Sequence, residues 1–158
     1  MIVLTISLII VVIDQISKYL IRSSMELHET IPVIKNFFHL TYVSNDGMAF
    51  GINFPGGIYI FTIASFILTL FLIGYLWYER KGDIVLRISL SLIIAGAIGN
   101  FIDRAMYKEV VDMFDFIFFG YHWYIFNVAD SSVTVGMIIY LYYSFFLQPK
   151  KQTIKTAI

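Results

Sequence analysis

Four long runs built mainly of Ile, Leu, Val and Phe dominate the chain, at approximately residues 2–21, 58–78, 84–103 and 128–147. Each has the length an α-helix needs to cross the hydrocarbon of a bilayer, about 20 mostly apolar residues. Backbone groups in lipid find no water, so a run of this kind folds as a helix that satisfies them internally. Only Glu79 to Asp83 separates the second run from the third, whereas the connections over residues 22–57 and 104–127 are long. In the first long connection, Phe37 to Val43 is rich in aromatic and β-branched residues and Asn45-Asp46-Gly47 supplies turn chemistry, which predicts a small β-hairpin. The second mixes Val110, Val111, Phe116, Ile117 and the aromatics from Phe118 to Tyr124 with Asp112 and Asp115, a blend suited to a membrane interface. The pattern predicts an all-α membrane protein, one integral membrane domain over residues 1–158, with four transmembrane helices and a small extracytoplasmic hairpin. The polar tail, 148–158, is expected to be disordered.

Composition strengthens this picture. The chain is 59% hydrophobic and 14% charged, against about 45–50% apolar and 25% charged in ordinary soluble domains. Eleven Lys and Arg balance eleven Asp and Glu, so no net field exists to recruit nucleic acid. There is no cysteine, which removes disulfides, thiolate nucleophiles and cysteine metal sites. The amino terminus lacks a basic leader and an Ala-x-Ala-like site, and Asp14 and Lys18 interrupt its apolar run, so a retained helix is expected rather than a cleaved signal. Arg80 and Lys81 lie in the short connector, Arg87 just beyond it, and Lys150, Lys151 and Lys155 in the tail. Arg22, Lys35, Arg104 and Lys108 sit on the other side. The excess of basic residues on the connector side predicts that both termini are cytoplasmic.

The polar residues inside the runs fall in stripes. Gly96, Gly99, Asn100, Asp103 and Arg104 share one face of the third helix, with glycines that allow another helix to come close. Asn127, Asp130, Ser131 and Thr134 repeat the spacing on the fourth, and that face is expected to point inward. On the first, Asp14 precedes Lys18 by four residues, the favourable order for an ion pair, and Ser7 shares their face. The second run offers Thr62, Ser65 and Thr69 and no charge, a scaffold. Asp103, Asp112 and Asp130 all belong to the outer end of the third and fourth helices or their connection, which predicts a site near the outer leaflet. An ionisable group within a span is costly, about 2.5–3.5 kcal/mol on insertion scales, and normally faces a cavity or a partner.

Each of these residues also has a plainer reading. Asp14 with Lys18 forms a structural ion pair. Asn100, Asp103 and Arg104 brace the third helix, and Asn127 caps the fourth. His28, His39 and His122 are dispersed, and no His-Glu-x-x-His occurs, so no metal is expected. Asp112 and Asp130 resist the plainer account best, since neither has a basic partner at helical spacing, although the helix dipole would favour an anion at Asp130. Asp115 is a further acidic candidate, while Lys108 and Glu109 read as solvated loop charges.

Several blocks carry a resemblance: Asp14-Gln15-x-x-Lys18, Asn45-x-Gly47-x-Ala49-Phe50-Gly51, Gly96-x-x-Gly99-Asn100-x-x-Asp103-Arg104, Val110-Val111-Asp112 and Phe126-Asn127-Val128-Ala129-Asp130-Ser131. In order, spacing and topology the chain resembles the lipoprotein signal peptidase, or signal peptidase II, family of bacterial cytoplasmic membranes, from Asp14 to about Gly136. The resemblance implies an aspartyl endopeptidase with Asp112 and Asp130 catalytic. Asp14, Lys18, Asn45, Gly47, Asn100, Asp103, Arg104 and Asn127 would bind substrate or support the site. It implies a substrate that is a prolipoprotein with diacylglycerol on its cysteine, cut on that residue's amino side; a monomer in contact with membrane lipids, with no cofactor, is expected. Met113 and Phe114 depart from the family's Phe and Ile, and Met48 from its frequent Ala. These changes stay apolar and bear on pocket shape.

Two other classes remain open to the sequence: a small transporter lined by the polar stripes, and a noncatalytic subunit docked through the glycine face. Other intramembrane proteases fit less well, because Gly-x-Ser-Gly and Gly-x-Gly-Asp are absent. Ser17 and Lys18, being adjacent, point apart on a helix and cannot pair.

Overall fold

The structure, a computed structural model, describes residues 2–45 and 56–148. It contains α1 (Ile2–Ser24), β1 (Thr30–Ile34), β2 (Phe38–Asn45), α2 (Gly57–Tyr78), α3 (Ile84–Tyr107), β3 (Val110–Phe118), β4 (Tyr121–His122) and α4 (Val128–Tyr142), the last continuing as a π-helical turn over Tyr143–Leu147. The four long helices have the length and apolar character to span a membrane. Gly47, with the rest of its block after Asn45, and the tail lysines lie outside the described residues.

α3 packs against each of the other three helices. Asp83 starts it by accepting the backbone N–H of Val85 at 2.8 Å, and Lys108 ends it in the left-handed region at φ 63°. The helix thus runs one turn past its expected end at Asp103, so Arg104 lies within it. α1 likewise continues to Ser24 and carries Arg22 within it. At one end of the bundle Val3, Leu76, Leu86, Leu90, Ile94 and Tyr143 form an apolar core. Close approach of α3 and α4 depends on Gly96, where an added Cβ would collide with the Ala129 carbonyl oxygen. Among the described residues the hydroxyls of Thr62, Ser65 and Thr69 on α2 bond to their own helix, and Ser7 of α1 reaches the carbonyl of Ser91 at 2.8 Å.

Beyond the other end of the bundle stands a four-stranded sheet, all antiparallel, in the order β1-β2-β3-β4. This corrects the all-α expectation. The predicted strand over Phe37 to Val43 exists, and its hairpin with β1 turns at Lys35 to Phe37, with Asn36 at φ 60°; the turn expected at Asn45 to Gly47 lies, beyond Asn45, outside the described residues. The connection read as interfacial contributes β3 and β4. Its alternation was hidden because both faces are apolar and both carry an acid: Asp112, Phe114 and Phe116 on one, Val111, Met113 and Asp115 on the other. Val111 and Met113 pack with Ile21 and Met25, which fixes β3 to the last turn of α1.

Candidate active site

Asp112 reaches the site from β3 and Asp130 from the first turn of α4, and local pairing brings these elements together. Phe126 forms a bridge with Phe114, its carbonyl accepting the backbone N–H groups of Met113 at 3.1 Å and Phe114 at 2.8 Å. The residue that follows, Asn127, is therefore delivered beside Asp112 just as the chain turns into α4. Its side-chain oxygen accepts the Asp130 backbone N–H at 2.9 Å, and its backbone N–H donates to Asp130 Oδ2 at 3.2 Å, a reciprocal cap. The amide nitrogen of the same side chain donates to Asp112 Oδ1 at 2.7 Å. Both carboxyl groups thus lie within hydrogen-bond reach of one fully buried residue.

Asn100 of α3 completes the frame. Its nitrogen donates to Asp130 Oδ1 at 2.7 Å, and its oxygen accepts from Lys18 Nζ at 2.9 Å and Asn127 Nδ2 at 3.2 Å. Lys18 also contacts Asp14 Oδ2 at 2.9 Å and Asp103 Oδ2 at 3.2 Å, all three side chains being fully buried. Asp14 accepts the backbone N–H of Ala129 at 2.9 Å, and Asp103 that of Val111 at 3.3 Å. One ion-pair cluster from α1 and α3 therefore holds the first turn of α4 and the start of β3. Gly99 makes room for it, since a side chain there would meet the Asp14 carboxylate.

Electrostatically Asp112 is unusual. Burial pushes its carboxyl up to about 7, and the neighbouring Asp130 charge pushes the same way, against the Asn127 amide, Lys18 and the Asn45 amide. A carboxyl that exchanges a proton near neutrality can serve as an acid in one step and a base in the next. Arg104, half-buried, lies within electrostatic reach of Asp130, Asp112 and Asp103.

The structure brings together Asp14, Lys18, Asn45, Asn100, Asp103, Asn127, Asp112 and Asp130, with Arg104 beside them. Asp115 does not join them. It points to the opposite face of β3, accepting from Thr41 at 2.9 Å and lying 2.8 Å from His122 Nδ1. His39 pairs with Asp115 across the strands and lies near His122, so two of the three histidines are neighbours rather than dispersed. Among the described residues no group of three or more His, Asp and Glu is arranged to hold a metal. The inward face of α4 also needs correction. Its buried positions are Ala129, Ser132 and Gly136, while the Ser131 and Thr134 hydroxyls bond back to their own helix and Thr134 is exposed. Two contributors stood outside the expected site residues. Gln15 bonds Asp14, Asp103 and the Gly99 carbonyl, and its place beside Asp14 was the available signal. Tyr124, hydrogen-bonded to Asn45, is one aromatic in a run of them and carried none.

The chain is similar to known proteins along most of its length. The family described as signal peptidase (SPase) II matches residues 6–146. A lipoprotein signal peptidase of Halothermothrix orenii is 44% identical over 138 residues, covering 85% of this chain and 91% of that protein. One from Bacillus velezensis is 41% identical over 147 residues, covering 93% and 95%. A bacterial membrane enzyme solved by the in meso method superposes with a TM-score of 0.81 at 35% identity, over 92% of this chain and 94% of that one. A second gives 0.76 at 38% identity, over 87% and 83%.

Proposed function

The chain belongs to the signal peptidase II family, and we propose that it is an aspartyl endopeptidase working at the membrane, with Asp112 and Asp130 as its catalytic pair. One observation carries the reading: two acids far apart in sequence are held by the same asparagine, one through its amide nitrogen and the other through its cap. Two nearby carboxyls do not both ionise easily, so the pair shares a proton and titrates as a unit. The ionised member takes a proton from a water as that water attacks the peptide carbonyl. The protonated member donates to the carbonyl oxygen, and the proton held by the pair later goes to the leaving amine. Asn127 and Asn100 orient both acids without titrating.

The substrate is a prolipoprotein whose cysteine carries diacylglycerol, cut on the amino side of that cysteine. Acyl chains held in the bilayer fix the depth of the scissile bond, which favours a site at the ends of α3 and α4 where the sheet begins. With both termini cytoplasmic, that depth is the outer leaflet. Every member of the proposed site comes from one chain, which favours a monomer as the working unit.

The test is cleavage of a diacylglyceryl-modified prolipoprotein by purified wild type, Asp112→Asn and Asp130→Asn. Either substitution abolishes cleavage in a chain that remains folded and inserted. Full processing by either variant removes the pair from the mechanism.

A further inference from the structure

Tyr124 lies in the segment between β4 and the Phe126 bridge, on the rim of the site, with 60% of its surface exposed. Its phenol oxygen accepts a hydrogen bond from Asn45 Nδ2 at 3.3 Å, and the Asn45 side chain also hydrogen-bonds Asp112. One amide therefore separates the phenol from the proposed catalytic pair. A tyrosine hydroxyl both accepts and donates. Here Asn45 occupies the accepting side, and among the described residues no acceptor engages the proton. Burial and the charges of Asp112 and Asp130 raise the phenol's pKa, so it keeps that proton wherever the pair is active.

Resting on the aspartyl reading above, we propose that Tyr124 is a further catalytic residue, whose hydroxyl donates a hydrogen bond to the oxygen of the scissile carbonyl as negative charge develops there. The pair supplies the proton that moves, while Tyr124 supplies a fixed donor that moves none. Asn45 aims it by holding the oxygen from the other side. The plain alternative is an interfacial aromatic like Trp123, for which the ring matters and the hydroxyl does not.

Tyr124→Phe separates the two, because it keeps the ring at an exposed position and deletes only the hydroxyl. Steady-state cleavage of the lipidated prolipoprotein should lose roughly 100-fold in kcat, the scale of a single oxyanion donor, with KM little changed. Replacement by 3-fluorotyrosine, which retains the hydroxyl, should restore kcat, a recovery that a fold defect or a lost ring contact does not predict. Wild-type kcat in Tyr124→Phe, or a loss confined to KM, overturns the role of Tyr124. If Asp112→Asn and Asp130→Asn are inactive in the same assay, the pair then stands without it. Cleavage by either aspartate variant removes the pair and this inference together.

Discussion

Asn127 donates its side-chain amide to Asp112, with Nδ2 2.7 Å from Oδ1, while the oxygen of the same amide closes the first turn of α4 on the backbone N–H of Asp130. The two demands fix which way the amide points, since the oxygen must face the helix and the nitrogen the carboxylate. Serine separates the roles, being as good a cap as asparagine but too short to reach Asp112 or Asn100. Asn127→Ser should keep α4 and lose at least tenfold in kcat. Helicity by circular dichroism and cleavage measured on one preparation check this. Wild-type turnover would reduce Asn127 to a cap.

The pH profile carries a second prediction. Asp112 holds its proton up to about 7, chiefly because it is buried and next because Asp130 is near. In the proposed mechanism cleavage needs one protonated and one ionised member, so kcat should fall on the alkaline side with a limb near pH 7. Stability responds to the same group. The folded chain binds this proton more tightly than the unfolded one, so the contribution of Asp112 to stability is full at acid pH and is lost as pH rises from about 4 through about 7. The loss is on the order of a few kcal/mol. Asp112→Asn escapes it, and its melting temperature relative to wild type should be higher at pH 8 than at pH 5. Equal differences at the two values would show that burial does not perturb Asp112.

Lys18 supports the site from below. It is fully buried among Asp14, Asp103 and Asn100. Removing one partner of a buried ion pair strands the other charge and typically destabilises by about 3–5 kcal/mol. Lys18→Met should fall in this range, measured by thermal unfolding in detergent, and adding Asp14→Asn should recover part of the loss. A double variant no more stable than Lys18→Met would mean that Asp14 draws its stabilisation elsewhere, through Ala129.

How much of this was legible follows from the spacing of the signals. The helices announced themselves because lipid demands long apolar runs. Asn100 and Asp103, three residues apart, declared a common face, and the order of the blocks pointed to Asp112 and Asp130, the acids of the proposed pair. The four-stranded sheet was not legible. In β3 the residues on both faces are apolar apart from one aspartate each, so no alternation separates inside from outside, and β4 is two residues long. The hairpin turn went to Asn45-Asp46-Gly47 because those residues favour turns. The β1–β2 hairpin turns at Asn36, which also tolerates positive φ, while Asp46 and Gly47 lie outside the described residues. The role of Thr134 was misjudged for a related reason. A helical stripe of polar residues marks a face, but a hydroxyl can satisfy itself on its own backbone and leave that face outward.

Strand alternation gives the last prediction. Asp112 and Asp115 are both buried and lie on the same strand three residues apart, so they occupy opposite faces. The first meets Asn127 and the second meets Thr41 and His122. Burial alone would make either a plausible catalyst, and only the facing partners distinguish them. Asp115→Asn keeps an acceptor for Thr41 but loses the charge beside His122, so it should weaken the sheet by about 1–3 kcal/mol. Its kcat on the lipidated prolipoprotein should stay within about twofold of wild type, whereas Asp112→Asn should abolish cleavage. Comparing the two in one assay tests the geometry of β3 directly. If Asp115→Asn is as inactive as Asp112→Asn while still folded, the face assignment is wrong, because a residue turned toward Thr41 and His122 cannot reach a peptide bound between Asp112 and Asp130.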